Sequence, residues 1–412
     1  MTWQITTIAE FIDRGEADLQ TGPFGTQLRA SDYVEKGIPV INVRNIGHGK
    51  IREEKLEYID EETAERLKIH LLKMGDIVFG RKGSSDRHVL IDEKTEGWLQ
   101  GSDCLRLRIK SDLVCNTFFS YFFDTSGHKE WMEAVCSFGA TMTSLNQDIV
   151  RKIKVPLPPI ETQRKIASIL SAYDDLIENY QRQIGLLEAV AQEVYREWFV
   201  RGRCPYVQTQ RKNEGNVVRL EELVTTQYGF TASSTEENTG VKFLRITDIS
   251  GNRIDWDSVP FCEVSEEDFS KYELKAGDIV VARIGATAGY ARRINKRHPK
   301  AVFASYLVRM QVRNLLHNYY VGMTVESQLF KDFINQTVGG AAQPQANAPL
   351  LTSYELRLPS DETLSAFNAT VEPVLDLIEN LQLQIIRLRQ MRDKLLPRLM
   401  SGQLEVTSQL ES

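Results

Sequence analysis

Six histidines, five cysteines and fifty-six carboxylates give this 412-residue chain the raw material for acid–base, nucleophilic or metal chemistry. Their spacing assembles none of it. The histidines never form a His-Glu-x-x-His pair on a helix. Cys104, Cys115, Cys136, Cys204 and Cys262 are nowhere closer than eleven residues, which excludes a zinc knuckle, and their odd number does not fit a disulfide framework. They read as reduced, mostly buried thiols. The run Gly80-Arg-Lys-Gly-Ser-Ser85 resembles a phosphate loop only on the surface, lacking its spacing and its lysine placement. A Gly-x-Gly-x-x-Gly turn, a Gly-x-Ser-x-Gly elbow and the Asn-Pro-Pro-aromatic run with which adenine methyltransferases hold a flipped base are all missing. What remains is a supply of arginine, lysine, asparagine, glutamine, serine and threonine in glycine-punctuated loops, which is the chemistry of hydrogen-bonded recognition. The expectation is a protein that binds and does not itself catalyse.

The elements that position those loops come as a repeat. Lys73-Met-Gly-Asp-Ile-Val-Phe-Gly-Arg81 matches Lys275-Ala-Gly-Asp-Ile-Val-Val-Ala-Arg283 at an offset of 202. GIPVINVRNI from Gly37 parallels GVKFLRITDI from Gly240, and Glu161-Thr162 and Leu176-Ile-Glu-Asn179 recur as Glu362-Thr363 and Leu377-Ile-Glu-Asn380. Matches in one order at near-constant offset mark a tandem duplication.

Each repeat changes period part-way. Short β-rich runs such as GDIVFGRKG and CLRLRIK predict a mixed α/β domain. From Ile177 the apolar positions then run Tyr180, Ile184, Leu187, Ala191, Val194 and Trp198, a heptad stripe, echoed by Ile378, Leu381, Ile385, Leu388, Leu395 and Leu399 with Arg392 interrupting the seam. Prolines mark the junctions at Val155-Pro-Leu-Pro-Pro159 and Leu358-Pro359. An isolated stripe must be buried, and each helix has the other available, so the fold expected is α+β: two tandem mixed α/β domains separated by two long helices that pair as an antiparallel coiled coil, with a pseudo-two-fold internal repeat. The boundaries expected are 1–155, 156–204, 205–358 and 359–412. A helix from Glu161 to Phe199 would be about 55 Å long, roughly one and a half turns of B-DNA. The Gly75-Asp76 and Gly277-Asp278 pairs read as structural turns entering strands, their aspartates capping the backbone.

The hydrophobic fraction of 42% with 26% charged residues is that of a globular protein, no apolar run reaches the length of a membrane span, and the N-terminus lacks the features of a signal peptide. A cytoplasmic location and no membrane contact are expected. A formal charge of -6 argues against wrapping nucleic acid with the whole surface but leaves room for a locally basic groove.

The sequence resembles the specificity subunits of type I restriction-modification enzymes. The motifs that carry the likeness are Thr21-GPFGTQL28, GIPVINVRNI, GDIVFGRKG, Phe138-GATMTSLN146, VPLPPIETQRKIASIL170 and LIENYQRQIGLLEAV190, then Gln227-YGFTA232, KFLRITDI249, Ile254-Asp-Trp-Asp257, GDIVVARIGATAGY290 and LRQMRDKLLPRLMSGQL404. They span nearly the whole chain, and the proline-rich entry into Glu-Thr-Gln-Arg-Lys-Ile is the most specific. The second junction, LRLPSDETLSAFN, departs from that motif, which puts its share of partner docking in doubt. The resemblance implies two target-recognition domains, each reading half of a split and asymmetric double-stranded DNA sequence, with the helices as ruler and as docking surface for two methyltransferase subunits. It implies no cofactor on this chain: S-adenosylmethionine, ATP and Mg belong to the methyltransferase and to the restriction/translocase subunits.

Side chains suited to base edges and phosphates are Arg44, Asn45, Arg81, Lys82, Ser84, Arg87, His88, Thr141, Thr143 and Asn146 in the first domain. In the second they are Arg245, Thr247, Arg283, Thr287, Tyr290, Arg292, Arg293, Gln343 and Gln345. Each is read equally as a solvated loop residue; the basic run Ala291–Lys300 is either a charged hairpin tip or a phosphate contact. On the helix flanks, Gln163, Arg164, Lys165, Gln181 and Gln183 are candidates for facing the methyltransferase. Two other readings stay open: a scaffold binding protein or RNA, which would bind duplex DNA weakly and without salt dependence, and an enzyme with an unrecognised site, which would turn over a substrate alone.

Overall fold

The structure, a computed structural model, describes residues 3–83, 86–136, 144–205, 216–251, 253–338 and 345–406. The chain divides into two compact units, Met1–Asn179 with Ile386–Ser412, and Tyr180–Ile385. Each long helix therefore begins in one unit and ends in the other.

In the first unit the Gly-Asp turn expected at 75–76 launches the central strand. Gly75 holds a φ of +85°, a left-handed conformation that a side chain would strain, and a Cβ there would meet Asn116 Nδ2 at 2.8 Å. Asp76 accepts from Lys73 N–H at 2.8 Å and from both Arg108 Nε and Nη2, at 2.7 and 2.6 Å. Strand Ile77–Gly80 is wholly buried, and its sheet has the order Ala17–Thr21, Cys104–Ile109, Ile77–Gly80, His88–Leu90, His48–Gly49. A second sheet holds Tyr33–Val34, Glu57–Ile59, Ile38–Ile41 and Leu99–Gln100. A ribbon of Gln4–Thr7 antiparallel to Lys154–Leu157 leads into the first long helix, Ile160–Tyr195.

The second unit repeats this plan. Gly277 has a φ of +89°, and Asp278 accepts from Lys275 N–H at 3.0 Å and pairs with Arg309. The sheet order Val224–Tyr228, Leu307–Val312, Ile279–Ala282, Ala291–Arg293 matches four strands of the first unit, and Asn216–Arg219 pairs antiparallel with Glu355–Leu358 before the second long helix, Asp361–Met400. The recurrence of Gly-Asp is thus accounted for by turn chemistry, as the sequence reading holds.

Within each unit the helices meet early against late. In the first, Ile166, Ala167 and Leu170 share a core with Leu395, Leu399 and Met400. In the second, Ala191, Tyr195 and Trp198 share one with Leu364, Phe367 and Val371, and the Phe199 and Phe367 rings lie 4.7 Å apart, edge to face. That order is antiparallel, and Ile177, Ile184, Ala191, Trp198, Ile378, Leu381, Ile385 and Leu399 of the seam are all buried. Arg392, the charge in the apolar stripe, bonds the Asp174 carboxylate, which also accepts from Tyr121 Oη at 2.7 Å. Besides the junction prolines, Pro373 and Pro397 lie within Asp361–Met400 itself. Both are exposed, as are Ala369 and Asp393, whose carbonyls the two prolines leave without a helical donor.

Candidate nucleic-acid interface

The loop after each central strand is anchored in the same way. Arg81 N–H donates to Asp103 O at 2.9 Å and Arg81 O accepts from Leu145 N–H at 2.8 Å; Arg283 N–H donates to Tyr306 O at 3.1 Å and Arg283 O accepts from Ala346 N–H at 2.8 Å. The backbone of each arginine is thereby pinned between two loops while its side chain stays partly open to solvent. Bridges Lys82↔Ser144 and Ile284↔Gln345 extend the correspondence by one residue. This brings Arg81 and Lys82 beside the segment ending at Asn146, and Arg283 beside Gln345. Thr141, Thr143, Ser84 and Gln343 lie outside the described residues.

The side chains differ in availability. No hydrogen bond or ion pair of the Arg81 guanidinium is found among the described residues, whereas Arg283 donates from Nε to Ser305 O at 3.1 Å and lies over the Tyr228 ring. Lys82 is exposed and pairs with Asp103 at 3.1 Å, and exposed Arg44 pairs with Glu57 at 2.7 Å; such surface pairs exchange cheaply for phosphate. Arg87 is half-buried with its Nε lacking an acceptor among the described residues. Thr247 is exposed, Thr287 ends a short 3-10 turn, and Tyr290 carries Lys331 Nζ 4.4 Å above its ring.

Several candidates are structural instead. Asn45 is fully buried, its carboxamide accepting from Asn42 N–H and donating to Arg52 O and Glu54 O. His88 is fully buried against Phe79 and Phe123 and bonded to Ser120 Oγ. Neither can face a base. Asn146 caps Gln147–Arg151 by accepting from Ile149 N–H at 2.9 Å, and Asn347, 201 positions later, caps Ala348–Thr352 through Leu350 N–H at 2.9 Å, so helix initiation explains that recurrence. Arg245 is closed on Asp248 by its backbone N–H, Nε and Nη2.

The basic run 291–300 is turned towards the helices. Arg292 donates to Ala291 O and Gly251 O, and Arg293 lies 4.4 Å over Tyr319 while its N–H binds Glu326. Both line a cleft of about 350 Å³ with Glu188, Arg253, Lys331 and Glu379. Cations and carboxylates alternate there, so the charges compensate each other. Burial holds the Glu326 carboxyl above its ordinary range and Lys331 below its own.

Among the helix flanks, Gln163 is fully buried. It accepts from Cys115 N–H and donates to Leu113 O and Pro158 O, locking a domain loop onto the helix start. Its counterpart Leu364 is buried in the second core, which explains how the shorter junction motif still closes; Asn368 supplies the loop bond there, to Leu316 O. Arg164 and Gln181 are exposed, the former paired with Glu161, and Lys165 and Gln183 are half-exposed. Sequence reasoning overlooked Leu113 and Leu315, 202 positions apart and 56% and 81% exposed, and Ile5 and Val217, each the second residue of its ribbon strand and also exposed. The signal was available: apolar residues recurring at equivalent places outside the strand and heptad periods.

Burial pushes the Cys104 thiol up to about 12 and the Cys262 thiol up to about 11, which disfavours the thiolate at both. No group of side chains able to hold a metal and no helix long and apolar enough to cross a membrane is found among the described residues.

Two copies of one glycine-looped α/β module, each presenting an equivalently anchored arginine and each joined to the same helix pair, define a duplicated recognition protein. Residues 3–189 match the type I restriction modification DNA specificity domain. Beyond that segment, the chain is similar to type I restriction enzyme specificity subunits along nearly its whole length. It is similar to the type I restriction enzyme MjaVIII specificity subunit of Methanocaldococcus jannaschii, 25% identical over 402 residues that cover 91% of each chain. The MjaIX specificity subunit of the same organism is 27% identical over 316 residues, covering 72% of this chain and 71% of the relative. The fold is that of the solved S subunit of the type I restriction-modification system from M. genitalium, with a TM-score of 0.59, 15% identity, and coverage of 99% of this chain and 97% of that one.

Proposed function

We propose that this chain reads a split, asymmetric sequence in double-stranded DNA through two target-recognition domains, 1–155 and 205–358. Its helical regions, 156–204 and 359–412, set the spacing and carry two methyltransferase subunits, with restriction/translocase subunits joining that assembly. The observation that carries the reading is the shared backbone anchoring of Arg81 and Arg283, which keeps one reading arginine in each repeat while the loops around it diverge. Arg81, Lys82, Arg87 and Arg44 serve the first half-site, and Arg283, Thr247, Thr287, Tyr290 and Gln345 the second. The paired exposure of Leu113 with Leu315 and Ile5 with Val217 supports two copies of one partner, because a partner used twice needs the same apolar contact twice.

Co-expression with the methyltransferase subunit encoded beside it, followed by single-molecule mapping of methylated adenines in host DNA, tests the proposal. A split, asymmetric motif that vanishes without this chain supports it; methylation unchanged or absent with the chain present overturns it. A one-turn insertion after Leu187 is expected to alter the number of base pairs between the halves and to leave the half-sequences alone.

A further inference from the structure

The basic stretch 291–300 is the strongly charged segment that base reading leaves unused, and its centre is tied to a helix. Lys296 donates from Nζ to Glu372 Oε1 at 2.7 Å and to Asp376 Oδ1 at 3.0 Å, and from its backbone N–H to Glu379 Oε1 at 3.1 Å. Residues 372, 376 and 379 are spaced by four and three, so all three acceptors fall on one face of Asp361–Met400. Glu379 is 5% exposed, which makes the contact more than a solvated surface pair. The stretch begins in strand Ala291–Arg293, which pairs with Ile279–Ala282, the strand that Arg283 directly follows. A rigid β pairing therefore connects the anchor at Lys296 to the arginine of the second reading loop.

We infer that Lys296, with Glu372 and Asp376, is a positioning clasp that sets the angle of the second reading loop on its own helix, selecting the spacing at which the second half-site is accepted without touching a base. The inference rests on the split-target reading above. The first unit makes its link differently, from Tyr121 Oη to Asp174, so the doubly paired lysine belongs to the second half-site.

The test uses the full chain co-expressed with the methyltransferase, acting on duplexes that hold both half-sequences constant and vary the spacer by one base pair either way. In Lys296→Glu the ratio of off-spacing to cognate methylation is expected to rise about fivefold, the change that follows from losing an ion network of this exposure. Both half-sequences should be retained, and the charge-exchanged triple variant K296E/E372K/D376K should return the ratio towards wild type. An unchanged ratio, loss of the second half-sequence, or failure of the exchanged variant to restore the ratio overturns the clasp. If K296E abolishes methylation at every spacing, Lys296→Gln, which removes the charge without repulsion, decides by the same ratio. Absence of any split motif with the wild-type chain would instead sink the underlying reading.

Discussion

Truncating the two anchored arginines separates half-site reading from general DNA affinity. Arg81→Ala removes a guanidinium that no described residue engages, while the bonds to Asp103 O and from Leu145 N–H use only its backbone and survive the change. The loop should keep its shape and lose one bidentate donor. A bidentate arginine contact to guanine contributes about 1–3 kcal/mol of discrimination, which is roughly 5- to 150-fold at one base pair. Arg283 spends Nε on Ser305 O and keeps both terminal nitrogens, so Arg283→Ala should cost the same order at one position of the other half-site. The assay is competition binding of the methyltransferase complex on a panel of duplexes with each position of the motif substituted in turn. R81A should flatten preference at one position of one half-site, and R283A at one position of the other. A uniform loss across all sequences, with a shallower dependence on salt, would make the arginines phosphate contacts and refute the reasoning. Loss in the same half-site by both variants would refute the assignment of one domain to each half.

Leu113→Asp and Leu315→Asp are each expected to remove one of two bound methyltransferase subunits, read as stoichiometry by native mass spectrometry, with melting nearly unchanged because both side chains are exposed. Asp76→Ala should destabilise the first unit by about 3–5 kcal/mol, since Arg108 is left partly buried and unpaired; the matching change at Asp278 should act on the second unit through Arg309, and chemical denaturation with a probe in each unit measures both. Acidification should weaken the first unit through His128, which packs against Phe122, Phe123 and Trp131 and is held at about 3 by burial. The unfolded imidazole takes up a proton near 6.5 while the folded one stays neutral, so this contribution is present above that pH and is lost at about 1.4 kcal/mol per unit as pH falls towards 3. His128→Gln should flatten the slope between pH 6 and 4; an unchanged slope rules the residue out as its source.

Legibility in the sequence followed the range of the interaction concerned. The Gly-Asp turns, the heptad seam and the duplication rest on contacts a few residues apart or on repetition along the chain, and all were readable without coordinates. Arg392 shows where that reading stopped: its break in the apolar stripe was visible, but the Asp174 and Tyr121 that accommodate it are far off in sequence.

The candidate site divides along the same line. Sequence by itself determined that each repeat carries an arginine after its central strand, because the Gly-Asp turn and the apolar strand that present it are local. Tertiary structure alone decided that Asn45, His88 and Gln163 face inward, that Asn146 caps a helix, and that Lys296 is bonded to a helix. A polar side chain has the same composition whether it meets water, a base or a buried carbonyl. Which of these it meets is set by the long-range packing that brings residue 163 to residue 113, or 296 to 372, and that packing leaves no period in the sequence.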